Sequence, residues 1–409
     1  MGKLLQINPV IREDTSTGRI MREIAESAMA DGWESYIAYG KGRDGIRPSG
    51  SHIVPVGSRF DSALHLLATR LFDRHGLASR RATRRFVREV ARIDPDVIHI
   101  HNIHGYFLHY KILFDYLARS GKPVIWTVHD CWLFTGHCYH YAAAGCDRWQ
   151  TQCHHCPQRN SFPRSWLLDR SRKNFRDKKK AFTSLPDITF VTVSQWMRDE
   201  MARSFLGKCR FKVIHNGIDL ELFRPGTGTA LPLPEEVRGK AVILGVASIW
   251  LKEKGFDDFI RLSGLLHADE RLVLVGRMDE SQKRSLPPGI ITLPRTGNVQ
   301  QLAALYTRAA VFVNPTWQDN YPTVNMEAQA CGTPVVTYRT GGSIETLSPE
   351  TGAVVEQGDV EGLRLAIDRM RSRDRAELRQ KCRFYASTHF KKEDLYKEYL
   401  SLYRLSSGR

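Results

Sequence analysis

Asp319 and Glu327 stand eight positions apart, with Pro322 and Thr323 between them. Carboxylates accept hydrogen bonds from vicinal hydroxyls, and the free N–H groups of a helix start hold phosphate. A helix opening at Pro322 would set both kinds of group side by side, and phosphate plus diol is the signature of a nucleotide sugar. The plain alternative is a solvated loop Asp and an ordinary helical Glu. A second pair, His129-Asp130, follows the apolar run 123–128. At the carboxyl edge of a strand it is placed to meet a ligand, or His129 is a core imidazole satisfied by hydrogen bonds. Lys254 precedes Gly255-Phe-Asp-Asp-Phe-Ile, which reads as a helix start. A cation there faces the positive end of the dipole, which is unfavourable by some tenths of a kcal/mol unless an anion lies nearby.

The segment 131–157 holds five of the eight cysteines, Cys131, Cys138, Cys146, Cys153 and Cys156, interleaved with four histidines. It closes on a C-x2-C knuckle. Cys138, Cys146, Cys153 and Cys156 would make one tetrahedral Zn2+ site, structural because four thiolates leave no open position. Free cysteines in an ordinary loop are the other reading.

The elements that would carry these groups alternate. Residues 310–314 are a short, β-branched and aromatic run closed by Pro315, which reads as a buried strand. A polar loop, 316–321, leads to a helix from Pro322 to about residue 330, stopped by Gly332, and Thr333-Pro-Val-Val opens the next strand. The same alternation runs through the chain, from a first strand at 3–9, a helix at 18–30 capped by Thr15, Ser16 or Thr17, and a strand at 33–39, to a helix at 195–205 behind Ser194 and a strand at 241–247. Residues 226–240, rich in Gly, Thr and Pro, read as a linker. Strand–helix alternation implies parallel sheets covered on both faces.

At 409 residues the chain has room for two domains. Hydrophobic residues make up 42% and charged residues 25%, as in a soluble globular protein. No run approaches the roughly 18 apolar residues of a membrane span. The first residues have no long apolar h-region, so the expected location is the cytoplasm. The formal charge is +16, with basic runs at 70–92 and 164–180. These runs could be solvated faces, an anionic-membrane contact or a nucleic-acid contact. No helix-turn-helix, RNP or zinc-finger pattern accompanies the charge, so nucleic acid is not among the expected partners.

The stretch from Asp319 to Val336, D-N-Y-P-T-V-N-M-E-A-Q-A-C-G-T-P-V-V, resembles the E-G-F-P-x-x-x-x-E-A-x-A-x-G-x-P-V-V motif of family-4 retaining glycosyltransferases. Asp replaces the first Glu, and Asn-Tyr replaces Gly-Phe. Similar D-N-Y-P loops occur in the branch that makes colanic-acid-type exopolysaccharides. Two more stretches resemble the family in the family's order. Residues 213–225 are similar to its interdomain crossing, V-I-x-N-G-[VI]-D-x-x-x-F-x-P. Residues 248–260 are similar to G-R-L-x-x-E-K-G-x-D-x-L-I, with one extra residue and Ser248 where the family has Arg. Thr127-Val-His-Asp matches the family's T-x-H-D.

The resemblance implies two doubly wound Rossmann-like α/β domains facing a cleft, the GT-B arrangement. Their expected spans are 1–215, carrying the Cys-rich insertion at about 131–157, and 216–388, with a helix at 389–409 crossing back to the first. It implies transfer of a sugar from a UDP- or GDP-sugar to a glycan or lipid-linked acceptor with retention, in capsule or exopolysaccharide synthesis. The enzyme would sit in the cytoplasm or peripherally on the inner face of an anionic membrane. Catalytic roles fall to His129 and Asp319, on the donor sugar, and to Lys254, on its diphosphate. The donor-binding set adds Gly18, Ser248, Asn320, Tyr321, Pro322, Thr323 and the ribose-holding Glu327. No metal cofactor is expected for catalysis, only the structural zinc. A nucleotide-sugar epimerase on the same fold and a basic nucleic-acid-binding protein are the rival readings.

Overall fold

The computed structural model describes residues 2–12, 15–41, 50–226 and 234–408. The chain divides into two compact units, Met1–His215 with Glu393–Arg409, and Asn216–Lys392. The second unit thus ends at Lys392, beyond the expected boundary at 388. Of the expected linker at 226–240, residues 227–233 lie outside the described residues, and Glu235–Val237 forms one 3-10 turn.

The first unit is built on seven strands: β1 Lys3–Val10, β2 Glu34–Lys41, β3 His52–Pro55, β4 Val97–Ile100, β5 Val124–Val128, β6 Ile188–Thr192 and β7 Arg210–Val213. Their order is β3-β2-β1-β4-β5-β6-β7, and every pairing is parallel. Side chains alternate faces along a strand, so β1 feeds two cores. Leu5 and Ile7 join Ile98, Ile100, Phe114 and Trp126 on one face. Leu4 joins Ile24, Trp33, Val97, Tyr399 and Tyr403 on the other. The terminal helix Lys392–Ser407 supplies both of those tyrosines. Tyr403 Oη lies 2.6 Å from His99 Nδ1, and Tyr399 Oη 3.0 Å from Thr127 Oγ1. Each ring buried this way contributes about 1.5–3 kcal/mol and leaves no hydroxyl stranded.

The second unit has six strands: β8 Ala241–Ile249, β9 Glu270–Arg277, β10 Ile290–Leu293, β11 Val311–Asn314, β12 Val335–Tyr338 and β13 Gly352–Val355. They run parallel in the order β10-β9-β8-β11-β12-β13. β8 extends two residues beyond its expected end, through a register shift between Val246 and Ile249. The helix behind Ser194 is shorter than expected, Gln195–Ala202.

In each unit the strand order reverses once, between β1 and β4 and between β8 and β11. Loops leaving neighbouring strands in opposite directions open a crevice at their carboxyl ends, where open α/β sheets bind ligands.

Candidate functional site

The residues that could do chemistry gather at these two reversals. In the second unit, the loop after β8 makes the 3-10 turn Lys252–Lys254, and the helix Phe256–Ser263 starts behind Gly255. Lys254 therefore lies in the turn before the helix, not in its first turn. The loop after β11 docks on this turn: Trp317 N donates to Glu253 O at 2.9 Å, and Thr316 Oγ1 to the same carbonyl at 3.2 Å. Gly255 makes the approach possible. It has φ +74°, and a Cβ there would lie 2.2 Å from Pro315 O. The Trp317 indole N–H donates to Asp258 at 2.6 Å, which fixes the loop from its other side.

The docked loop brings Asp319 to Lys254, Nζ to Oδ2 2.8 Å. Asn320 and Tyr321 are buried, and burial pushes the Tyr321 hydroxyl pKa up. Pro322 is the N-cap of the helix Thr323–Ala330 rather than its first residue, and Gly332 ends it at φ +79°. Glu327, 4% exposed, accepts from Tyr306 Oη at 3.1 Å. Ser248 is exposed near the end of β8 and takes no part in the Lys254–Asp319 contact.

Thr340-Gly-Gly-Ser, outside the expected site residues, leaves β12 at the same carboxyl edge and opens the 3-10 helix Gly341–Thr346. The Ser343 hydroxyl is fully buried and makes no hydrogen bond within the protein. The paired glycines after a buried strand were the available signal. Asn325 ties this turn to the helix by donating to Thr346 Oγ1 at 2.9 Å, and it accepts from Asn314 at 2.8 Å.

In the first unit, His129 follows β5 and His101 follows β4. Gln6 Oε1 meets His101 Nε2 at 2.9 Å, and His101 Nδ1 meets His129 Nε2 at 3.1 Å. Burial holds the His129 pKa down to about 4, against the pull of Asp130, so its imidazole is neutral near pH 7. Asp130 pairs with His104 Nε2 at 3.1 Å and caps Trp132 N at 2.9 Å. Burial opposes ionisation of Asp130, but these partners outweigh it and lower its pKa. Gly18 lies in the first turns of the helix Ser16–Ala30, whose N-cap is Thr15. Its lack of a side chain has a local cause: a Cβ would sit 2.3 Å from Arg12 O. The Thr15 hydroxyl donates to that same carbonyl at 2.9 Å instead of capping the helix.

The four knuckle cysteines also meet. Cys138, Cys146, Cys153 and Cys156 line one small cavity beside His137 and His154. All eight cysteines are free thiols. Among the described residues, no group of three or more His, Cys, Asp or Glu side chains forms a ready-made metal-holding arrangement.

Residues 17–222 match the profile described as Glycosyltransferase Family 4, and residues 240–373 match Glycosyl transferases group 1. The chain is 26% identical over 382 residues to a protein of Escherichia coli K12 named colanic acid biosynthesis glycosyl transferase WcaC, covering 87% of this chain and 88% of that one. It is 30% identical over 198 residues to a D-inositol 3-phosphate glycosyltransferase of Mycobacterium, covering 44% and 43%. Among solved structures, sucrose-phosphate synthase of Thermosynechococcus elongatus superposes with a TM-score of 0.70 at 18% identity over 99% of both chains. Anabaena Alr3699/HepE in complex with UDP-glucose superposes with a TM-score of 0.65 at 15% identity over 98% of both. The two parallel α/β sheets are those of the GT-B fold.

Proposed function

This chain belongs to glycosyltransferase family 4, and from that premise we propose that it transfers a sugar from a nucleotide diphosphate sugar to a glycan or lipid-linked acceptor, with retention of configuration. The single observation that carries the reading is the Lys254–Asp319 contact at the β8/β11 reversal, beside a helix mouth. It sets a cation, a carboxylate and free backbone N–H groups together. That set suits a diphosphate joined to polyhydroxylated rings.

The roles follow from charge and reach. Lys254 and the N–H groups at Thr323 stabilise the leaving diphosphate, whose charge grows as the glycosidic bond breaks. Preorganised donors aimed at developing charge are commonly the largest single catalytic contribution. Asp319 holds Lys254 in place and accepts from a sugar hydroxyl. Glu327, steadied by Tyr306, accepts from the ribose. The leaving phosphate takes the acceptor's proton, so no protein base is required. That solved structures with this fold carry UDP and UDP-glucose favours UDP among the donors.

The likeness to a colanic acid protein favours an exopolysaccharide or capsule acceptor. We also assign peripheral contact with an anionic membrane to the first unit. The helix Arg59–Phe72 exposes Phe60, Leu64 and Leu67 along one stripe. Arg80, Arg81 and Arg85 of the helix Arg80–Ile93 line the same groove. An apolar stripe rimmed by arginines suits the interface of an anionic bilayer. No described helix is long and apolar enough to cross a membrane.

A screen of UDP- and GDP-sugars for donor hydrolysis by the purified chain tests the reading. Release of nucleoside diphosphate from one donor, with the anomeric proton of the product retaining the donor configuration by NMR, is expected. No release from any donor, or inversion, contradicts it.

A further inference from the structure

We propose that Cys138, Cys146, Cys153 and Cys156 bind one structural Zn2+ that holds the segment following His129 and Asp130 in shape. Between β5 and the helix Ser171–Phe182 the chain runs for some forty residues. Its regular structure is two single-turn 3-10 helices, Ala142–Ala144 and Arg148–Gln150. Segments of this length without secondary structure are uncommon in compact domains unless something ties them down. The first half of this one is tied by apolar burial, since Trp132, Leu133, Phe134, Tyr141 and Trp149 lie in the first unit's core, whereas Cys146 and Cys156 are only half-buried.

The cysteines are placed to tie down the rest. All four line one cavity. Cys153 Sγ accepts from Gly136 N at 3.2 Å. A Cβ on Gly136 would lie 2.7 Å from Cys153 Cβ and 2.2 Å from Ser171 O, so glycine is what lets this donor approach the sulfur. The Gly136 N–H favours the thiolate, the form that binds metal, although burial outweighs it and pushes the Cys153 thiol pKa up in the metal-free chain. The knuckle itself is shaped for a turn: His155 has φ +43°, Arg148 donates to His154 O at 3.0 Å, and Asp169 accepts from Cys156 N at 2.7 Å.

Four soft sulfur ligands select zinc over magnesium, calcium or manganese, and a closed four-ligand set makes the role structural. The thiols are not spread in a ready-made chelate, so binding requires them to turn toward a common centre as their protons leave for solvent. The four-thiolate site carries a net charge of about −2. Lys178, which donates to Thr135 O at 3.0 Å, and Arg148 stand beside it to offset that charge. His137 lies on the cavity wall with Nδ1 held by Asp73 at 2.7 Å, and its Nε2 makes no hydrogen bond within the protein. A carboxylate-oriented imidazole of this kind is a frequent neighbour of bound zinc.

The consequence reaches the candidate site. Cys131 N donates to Tyr139 O at 2.8 Å, and Trp132 N to the Asp130 carboxylate. A clamp on residues 138–156 therefore steadies the backbone that presents Asp130 to His104.

The test is elemental analysis of the untagged full-length chain after dialysis against a weak chelator. About one zinc per chain is expected. Cys146→Ser and Cys156→Ser should each retain less than about a fifth of it, while Cys209→Ser, outside the cluster, keeps it all. If the cluster variants do not fold, the wild-type chain still decides. Mercurial titration should release zinc only as about four thiols react. A wild-type chain that holds no zinc and exposes its thiols without a metal-linked step overturns the proposal. Zinc lost in His137→Gln but kept in Cys146→Ser overturns the four-thiolate set.

Discussion

Lys254 Nζ lies 2.8 Å from the Asp319 carboxylate across 65 residues of sequence. The two residues act as a unit: the carboxylate aims the ammonium, and the ammonium holds the carboxylate in place. Lys254 keeps 40% of its side chain exposed against 20% for Asp319, so the cation can still be reached by an anionic ligand.

Lys254→Ala should lower kcat by about 10^2–10^3, the usual cost of removing one charge-stabilising donor. Because the pair is coupled, Lys254→Ala with Asp319→Asn should cost clearly less than the sum of the single losses. Steady-state kinetics on the four proteins of this cycle checks both statements. Wild-type turnover in Lys254→Ala, or strict additivity, goes against them.

Gly255→Ala should destabilise the second unit by about 1–3 kcal/mol, because it forces a side chain into positive φ and against Pro315. It should also raise the KM for donor, since the turn carrying Lys254 and the loop carrying Asp319 can no longer dock. Urea unfolding and initial rates measure the two effects. An unchanged midpoint with unchanged KM would show that the docking is dispensable.

Acid should weaken the fold before the carboxylates titrate. Burial holds His129 and His109 at about 4 and His99 at about 3, and it also drives His75 and His101 down. The unfolded chain binds protons at these positions near pH 6.5 and the folded chain does not. Stability they support is therefore complete above about pH 6.5 and is lost as pH falls toward 4. His137, raised by Asp73 despite its burial, opposes them alone among the shifted histidines. The urea midpoint should be lower at pH 5 than at pH 7.5. An equal or higher midpoint at pH 5 contradicts this.

Charge reversal of Arg80, Arg81 and Arg85 should weaken binding to vesicles containing anionic lipid by about 1 kcal/mol or more per residue, with little change for neutral vesicles. Co-sedimentation at two salt concentrations measures it. Binding that ignores both charge and salt excludes the basic face.

Much of this was legible in the sequence, for physical reasons. The β11–helix–β12 unit announces itself because its strands are buried on both faces and its turns are marked by Pro315, Pro322 and Gly332. The helix Arg80–Ile93 lies almost wholly within the basic run at 70–92, and its Ala82, Phe86, Val90 and Ile93 repeat along one face of an otherwise arginine-rich stretch. The helix Arg59–Phe72 was missed: Phe60, Leu64 and Leu67 point outward, so no polar face offsets its buried His65 and Thr69. The helix Ser171–Phe182 was hidden inside a basic run. The site residues could be named singly, but not their contacts. Lys254 meeting Asp319, Glu327 meeting Tyr306 and His129 meeting His101 are products of strand order, which no local pattern encodes.

On the proposed reading the second unit holds a nucleoside diphosphate with Glu327 on the ribose and Asp319 toward the sugar. Calorimetric titration of UDP and GDP into the wild-type chain, Glu327→Gln and Asp319→Asn tests it most directly. A hydrogen bond to a charged group contributes about 1.5–3 kcal/mol, so Glu327→Gln should weaken binding of the preferred nucleotide roughly 10- to 100-fold. Asp319→Asn should leave that affinity nearly unchanged while lowering kcat/KM for the intact donor. If Asp319→Asn loses the nucleotide and Glu327→Gln keeps it, or if the wild-type chain binds neither nucleotide, the account is wrong.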